Sequence, residues 1–145
     1  MPPELRIKAN QPTGIQVVES FFEALQTVDF ERALALLSDD IEYQNVPLPA
    51  NYGKAQVERT LRSFMRIANE FEVRMHNIAE RGGIVLTERT DILRGPFVDL
   101  RFWVCGTFEV RDGKIVLWRD RFDVGAFLFQ LLTSPLRRFL RARYR

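Results

Sequence analysis

Hydrophobic positions along this chain follow two different periods. Val17, Val18, Phe21, Phe22 and Leu25 recur at helical intervals from Thr13 or Gly14, and Asp29 then caps a second short helix through Phe30, Leu34 and Leu37. IEYQNV reads as a strand, stopped by PLPANYG because Pro47 and Pro49 cannot continue a ladder. A third helix over about 54–68 carries Val57, Leu61, Phe64 and Met65 on one stripe. Beyond it the spacing changes to alternation. FEVRMHNIAE, IVLTERTDIL, VDLRFWVCGTFEV and IVLWRDRFDV are four strands, separated by RGG, RGPF and RDGK. A last helical segment begins near Gly125, with a break expected at Pro135. Helices first and antiparallel strands afterwards predict an α+β domain with its helices on one face of a curved sheet.

The alternation places charge where apolar side chains belong. Val98, Leu100, Phe102, Val104, Gly106, Phe108 and Val110 form one continuous apolar face. In the next strand Val116, Trp118, Asp120, Phe122 and Val124 share a face, so a carboxylate sits among large hydrophobes. A three-residue loop, Arg111 to Gly113, sets Val104 opposite Asp120 and Gly106 opposite Trp118. A four-residue loop, Arg94 to Phe97, sets Asp91 opposite Leu100 and Arg89 opposite Phe102. Arg89, Asp91 and Asp120 then occupy one inner face, their backbones about 10 Å apart across the central strand, and the arginine side chain can reach across to hold both acids. Such a cluster is either a salt bridge that fixes the sheet register or a site for chemistry. With one proton retained it is neutral, and it then offers an acid and a base at the same pH. Tyr43 and Asn45, if they point inward from their strand, add two groups able to orient water.

Composition narrows the classes. The chain has 145 residues, 46% hydrophobic and 28% charged, and a net charge of +2, which suits one soluble domain and provides no global field for nucleic acid. Residues 1–12 read as a flexible arm and 13–145 as a single domain, with a basic helical tail over about 134–145. That tail is either an amphipathic helix packed on the domain or a peripheral contact with an anionic membrane. One cysteine, Cys105, and one histidine, His76, provide neither a disulfide framework nor a structural zinc site. No apolar run is long enough to span a membrane, and the N-terminus lacks the apolar core of a signal peptide, so a cytoplasmic protein is expected.

The stretches YQNVPLPANYG, VLTERTDILR and FEVRDGKIVLWRDRFD, in that order, resemble the limonene epoxide hydrolase family over about residues 15–127. FWVCG and LWRD are similar to a mycobacterial branch of it. The resemblance implies a cystatin-like or nuclear-transport-factor-like cone, in which a curved mixed sheet with helices on its concave face encloses a deep pocket. It also implies a homodimer, no cofactor, and epoxide and water as substrates. By the same resemblance Asp91 protonates the epoxide oxygen, Asp120 is general base to water, Arg89 holds both, and Tyr43 and Asn45 position the water. Trp118, Phe122, Leu93, Phe102, Val104 and Phe64 are the expected pocket walls, suited to a terpenoid, sterol or other lipid epoxide. Two other readings stay open: a proton shuttle like ketosteroid isomerase, and a noncatalytic lipid-binding module of the same fold.

Overall fold

The structure is a computed structural model and describes residues 11–143. The arm expected over residues 1–12 lies outside them apart from Gln11 and Pro12, as do the last two residues of the expected tail.

Helix α1, Gly14–Gln26, starts where Thr13 and Gln16 form a reciprocal capping box, and it buries Val17, Val18, Phe21, Phe22 and Leu25. Glu80 accepts from the Gly14 and Ile15 amides and ties this positive helix end to the sheet. Asp29 caps α2, Phe30–Ala35. This helix is shorter than its apolar spacing predicts, because Leu37 already begins β1, Leu37–Val46. The short β2, Asn51–Tyr52, leads into α3, Lys54–Ile67, which buries Val57 and Leu61. Four long strands follow: β3, Glu70–Arg81; β4, Ile84–Arg94; β5, Asp99–Arg111; and β6, Lys114–Arg121. Helix α4, Val124–Arg143, closes the described chain and runs through Pro135 without the expected break. The Ser134 hydroxyl and the Arg137 guanidinium both donate to the Gln130 carbonyl there, and Arg137 also reaches the Asp99 carbonyl, anchoring the helix to β5.

The strands form one mixed sheet in the order β2-β1-β6-β5-β4-β3, with β1 parallel to β6 and every other pair antiparallel. The helices and the curved sheet meet at a core that includes Phe21, Phe22, Ile41, Phe108, Ile115 and Trp118. This is the α+β arrangement expected from the apolar pattern and the cone that the resemblance implies.

Both central hairpins differ from the expected register. The β4–β5 loop is Gly95–Val98, closed by the Gly95 amide donating to the Val98 carbonyl, and it sets Arg89 opposite Val104 and Asp91 opposite Phe102. The β5–β6 turn has only two residues, Asp112 and Gly113, both left-handed at φ 50° and 74°, and Arg111 pairs with Lys114. A one-residue slip of this kind would turn Trp118 and Asp120 to the opposite face. A bulge at Val116 supplies the missing residue, so Ile115 faces the core in place of Val116, Trp118 lies opposite Phe108, and Asp120 lies opposite Gly106.

Candidate active site

Strands β4 and β6, on either side of β5, bring three charged side chains together beneath the helices. Arg89 of β4 is 0% exposed, and its guanidinium is almost fully engaged. Its Nε donates to Asp91 Oδ1 at 2.9 Å, and its Nη2 to Asp91 Oδ2 at 3.2 Å and to Asp120 Oδ2 at 2.7 Å. Nη1 donates to Thr87 Oγ1 at 3.1 Å, and the Phe22 ring lies 4.6 Å from the guanidinium carbon. Two acids are therefore held by one cation, as the face pattern predicts.

Gly106 makes the room. A Cβ at that position would lie 2.5 Å from Arg89 Nη1, 2.6 Å from Thr87 Oγ1 and 2.9 Å from Asp120 Oδ1. The sequence reading assigned this glycine to Trp118, whereas the observed register puts it opposite Asp120 and under the guanidinium. Gly106, Thr87 and Phe22 are members of the site that the sequence reading missed. The alternation of β4 already set Thr87 on the face of Arg89 and Asp91, and an isolated glycine in an apolar strand signals close approach of another group.

Burial pushes the Asp91 carboxyl up to about 6, and the Asp120 charge adds to the effect while Arg89 opposes it. Desolvation also works against the Arg89 charge, but the carboxylates of Asp120 and Asp91 outweigh it and hold the guanidinium protonated. The Tyr43 phenol is raised well above its ordinary value by burial and by the Asp120 charge. Its oxygen accepts from Asn45 Nδ2 at 2.8 Å, which leaves the phenolic proton for another acceptor. Parallel pairing of β1 with β6 sets Asn45 beside Asp120 and Tyr43 beside Trp118, whose rings stack at 4.0 Å. Asp120 Oδ1 has no hydrogen-bond partner among the described residues. A raised carboxyl, a second carboxylate and a phenol–amide pair thus line one cavity, an arrangement fit for acid–base work on a polar bond.

Asp91, Asp120, Tyr43 and Asn45 line a cavity of about 350 Å³. Trp118, Phe122, Leu93, Phe102 and Phe64 form its walls as expected. Val104 does not: it is fully buried opposite Arg89 and packs beneath the charged trio. Unforeseen wall residues come from four helices, among them Leu25, Phe30, Met65 and Phe127, because single-strand alternation cannot tell which helical residue faces a gap. His76 is exposed, bonds to Thr90 Oγ1 at 2.8 Å, and is absent from the lining. Among the described residues no group of three His, Cys, Asp or Glu side chains is placed to hold a metal ion.

Known proteins resemble this chain in sequence and fold. A family model described as the limonene-1,2-epoxide hydrolase catalytic domain matches residues 12–133. Epoxide hydrolase EphG of Mycobacterium tuberculosis is 48% identical over 108 residues, spanning 74% of this chain and 71% of that protein. A solved LEH-like epoxide hydrolase from M. tuberculosis superposes with a TM-score of 0.78 at 42% identity, covering 88% of this chain and 95% of that one. These relatives agree with the mycobacterial-type resemblance. An NTF2-like protein of unknown function from Burkholderia pseudomallei K96243, 16% identical, has a TM-score of 0.75 over 83% of this chain and 98% of its own, and shares the fold alone.

Proposed function

The chain belongs to the limonene-1,2-epoxide hydrolase family and is an epoxide hydrolase, and from that premise we propose that it opens an apolar epoxide to a vicinal diol in one acid–base step. Asp120 takes a proton from a water molecule steadied by Tyr43 and Asn45. The water oxygen bonds to one ring carbon while the carbon–oxygen bond breaks, and Asp91 gives its proton to the departing oxygen. Asp91 ends ionised and Asp120 protonated, so the trio with Arg89 is neutral before and after. No net charge has to appear in a dry site, which keeps the barrier low. Return of the proton from Asp120 to Asp91 through solvent resets the pair.

The observation that carries this reading is the single Arg89 guanidinium bonded to both acids, with the Asp91 carboxyl raised toward neutral pH. A ketosteroid-isomerase-like shuttle requires a base and an oxyanion site and has no use for an arginine clamped between two acids. The cavity walls are largely aromatic and aliphatic, which suits terpenoid, sterol or lipid epoxides. A volume at the low end for small-molecule sites accommodates compact rings or a short chain segment, and a sterol would leave part of itself in the mouth. The same reading makes the protein a cofactor-independent cytoplasmic homodimer serving lipid metabolism or detoxification. The lone thiol of Cys105 suits a reducing compartment. Exposed Leu86 and Trp103 on the sheet's outer face offer a surface for pairing.

A single turnover in oxygen-labelled water tests the step. Label should enter the diol and no aspartate, and Asp91→Asn and Asp120→Asn should each lower kcat/KM by about 10²–10⁴-fold with the fold retained. Label in an aspartate, or wild-type turnover in either variant, overturns the mechanism.

A further inference from the structure

A large exposed apolar surface among the described residues lies on α4, most of it outside the cavity. Gln130, Leu131 and Ser134 face β5 and its neighbours, and Gln130 exchanges two hydrogen bonds with the Arg101 backbone. On the opposite side Leu128, Phe129, Leu132, Leu136, Phe139 and Leu140 form a stripe roughly 18 Å long. Phe129 is 69% and Leu132 82% exposed. The stripe exposes on the order of 600 Å² of apolar surface, the upper end for the largest patch of a typical monomer.

Charge identifies what covers it. Helix α4 contains no Asp or Glu, and its last seven residues contain Arg137, Arg138, Arg141 and Arg143. Arg137 and Arg138 lean back to the carbonyls of Asp99 and Pro96, while Arg143 caps the stripe over the Phe139 ring at 5.7 Å. Arg141 pairs with Asp99 and is still 74% exposed. Phe and Leu on one side, with arginines and no acidic residue of the helix on the other, is the pattern of a helix lying in the plane of a lipid surface. Each arginine sits within about a Debye length of such a surface. The stripe also runs into the cavity: Val124, Phe127 and Leu128 line it, together with half-exposed Leu48.

We propose that the outward face of α4 docks this chain on an anionic phospholipid bilayer, with the cavity mouth turned toward the membrane. If the substrate is an apolar epoxide, as the functional reading holds, it enters from the lipid and spares the cost of crossing water.

Flotation of the full chain with phosphatidylcholine vesicles, with and without phosphatidylglycerol, tests this. The protein should float with the anionic vesicles and be released by high salt. The double variant Leu132→Glu, Leu136→Glu, at two exposed positions outside the cavity lining, should lose at least about tenfold in vesicle affinity while keeping its circular dichroism and its turnover of soluble styrene oxide. Turnover of an epoxide dissolved in the vesicles should fall by about the same factor. Flotation reads docking without any turnover, so a failed epoxide assay counts against the functional reading alone. No preference for anionic vesicles overturns the docking proposal. So does a wild-type dimer that the same variant splits without any vesicle binding, since a second copy would then be the occupant.

Discussion

Asp91 has the most informative titration in the molecule. Its folded-state value near 6 lies above the ordinary 3.8, so between those values the folded chain binds the proton more tightly than the unfolded one. The stability it contributes is complete below about 3.8 and lost as the pH rises through about 6. Urea unfolding of wild type and Asp91→Asn across this range should therefore give a difference that shrinks with rising pH. As general acid it works only while protonated, so kcat/KM should fall about tenfold per pH unit well above 6. A flat profile there would remove Asp91 from the acid role. Gly106 gives a second test at this scale. Gly106→Ala places a methyl group within 3 Å of Arg89, Thr87 and Asp120, and all three are pinned by buried bonds. It should cost about 1–3 kcal/mol in unfolding free energy and at least about tenfold in turnover. The types and face of the trio were legible from alternation, since burial of charge in an apolar row is visible in a string of letters. The role of Gly106 was not, because it depends on which residue lies across the ladder.

At the scale of elements, the two hairpins explain why a wrong register still found the site. Each expected pairing was displaced by two residues in the same direction, so Arg89 and Asp120 kept their offset along β5 and their common face. In the β5–β6 hairpin that even shift is composed of a shorter turn and the Val116 bulge, neither of which the apolar pattern reports. The turn can be probed apart from the site. Gly113 sits at φ 74° with no side chain crowding it, so Gly113→Ala should destabilise the fold by about 1 kcal/mol, seen as a lower urea midpoint, and leave kcat/KM unchanged. Loss of activity in that variant would mean the turn also sets the position of Asp120. Pro135 was misjudged as a break because its effect on the helix ladder was weighed without the side chains around it. Ser134 and Arg137 bind the neighbouring carbonyls and anchor that turn to β5.

The whole molecule decides substrate size. Strands supply the floor of the cavity, with Leu93, Phe102, Trp118 and the two acids, while Leu25, Phe30, Leu61, Phe64 and Phe127 close it from four helices. Leu93→Phe fills part of the 350 Å³ beside Asp91. It should leave turnover of a small epoxide within about twofold of wild type and lower that of a bulky ring epoxide by at least about tenfold, measured as the ratio of kcat/KM values. Equal losses on both would mean that Leu93 supports Asp91 and does not shape the cavity.

The order of the helices and long strands, the inner faces of β4 and β5 and the charged trio follow from the sequence, because periodicity and the cost of buried charge act residue by residue. Three-dimensional packing decided the rest. Which strand lies beside β6, what space Gly106 leaves, where the cavity ends and which side of α4 stays bare all depend on contacts between residues far apart in the chain. No local pattern encodes those distances.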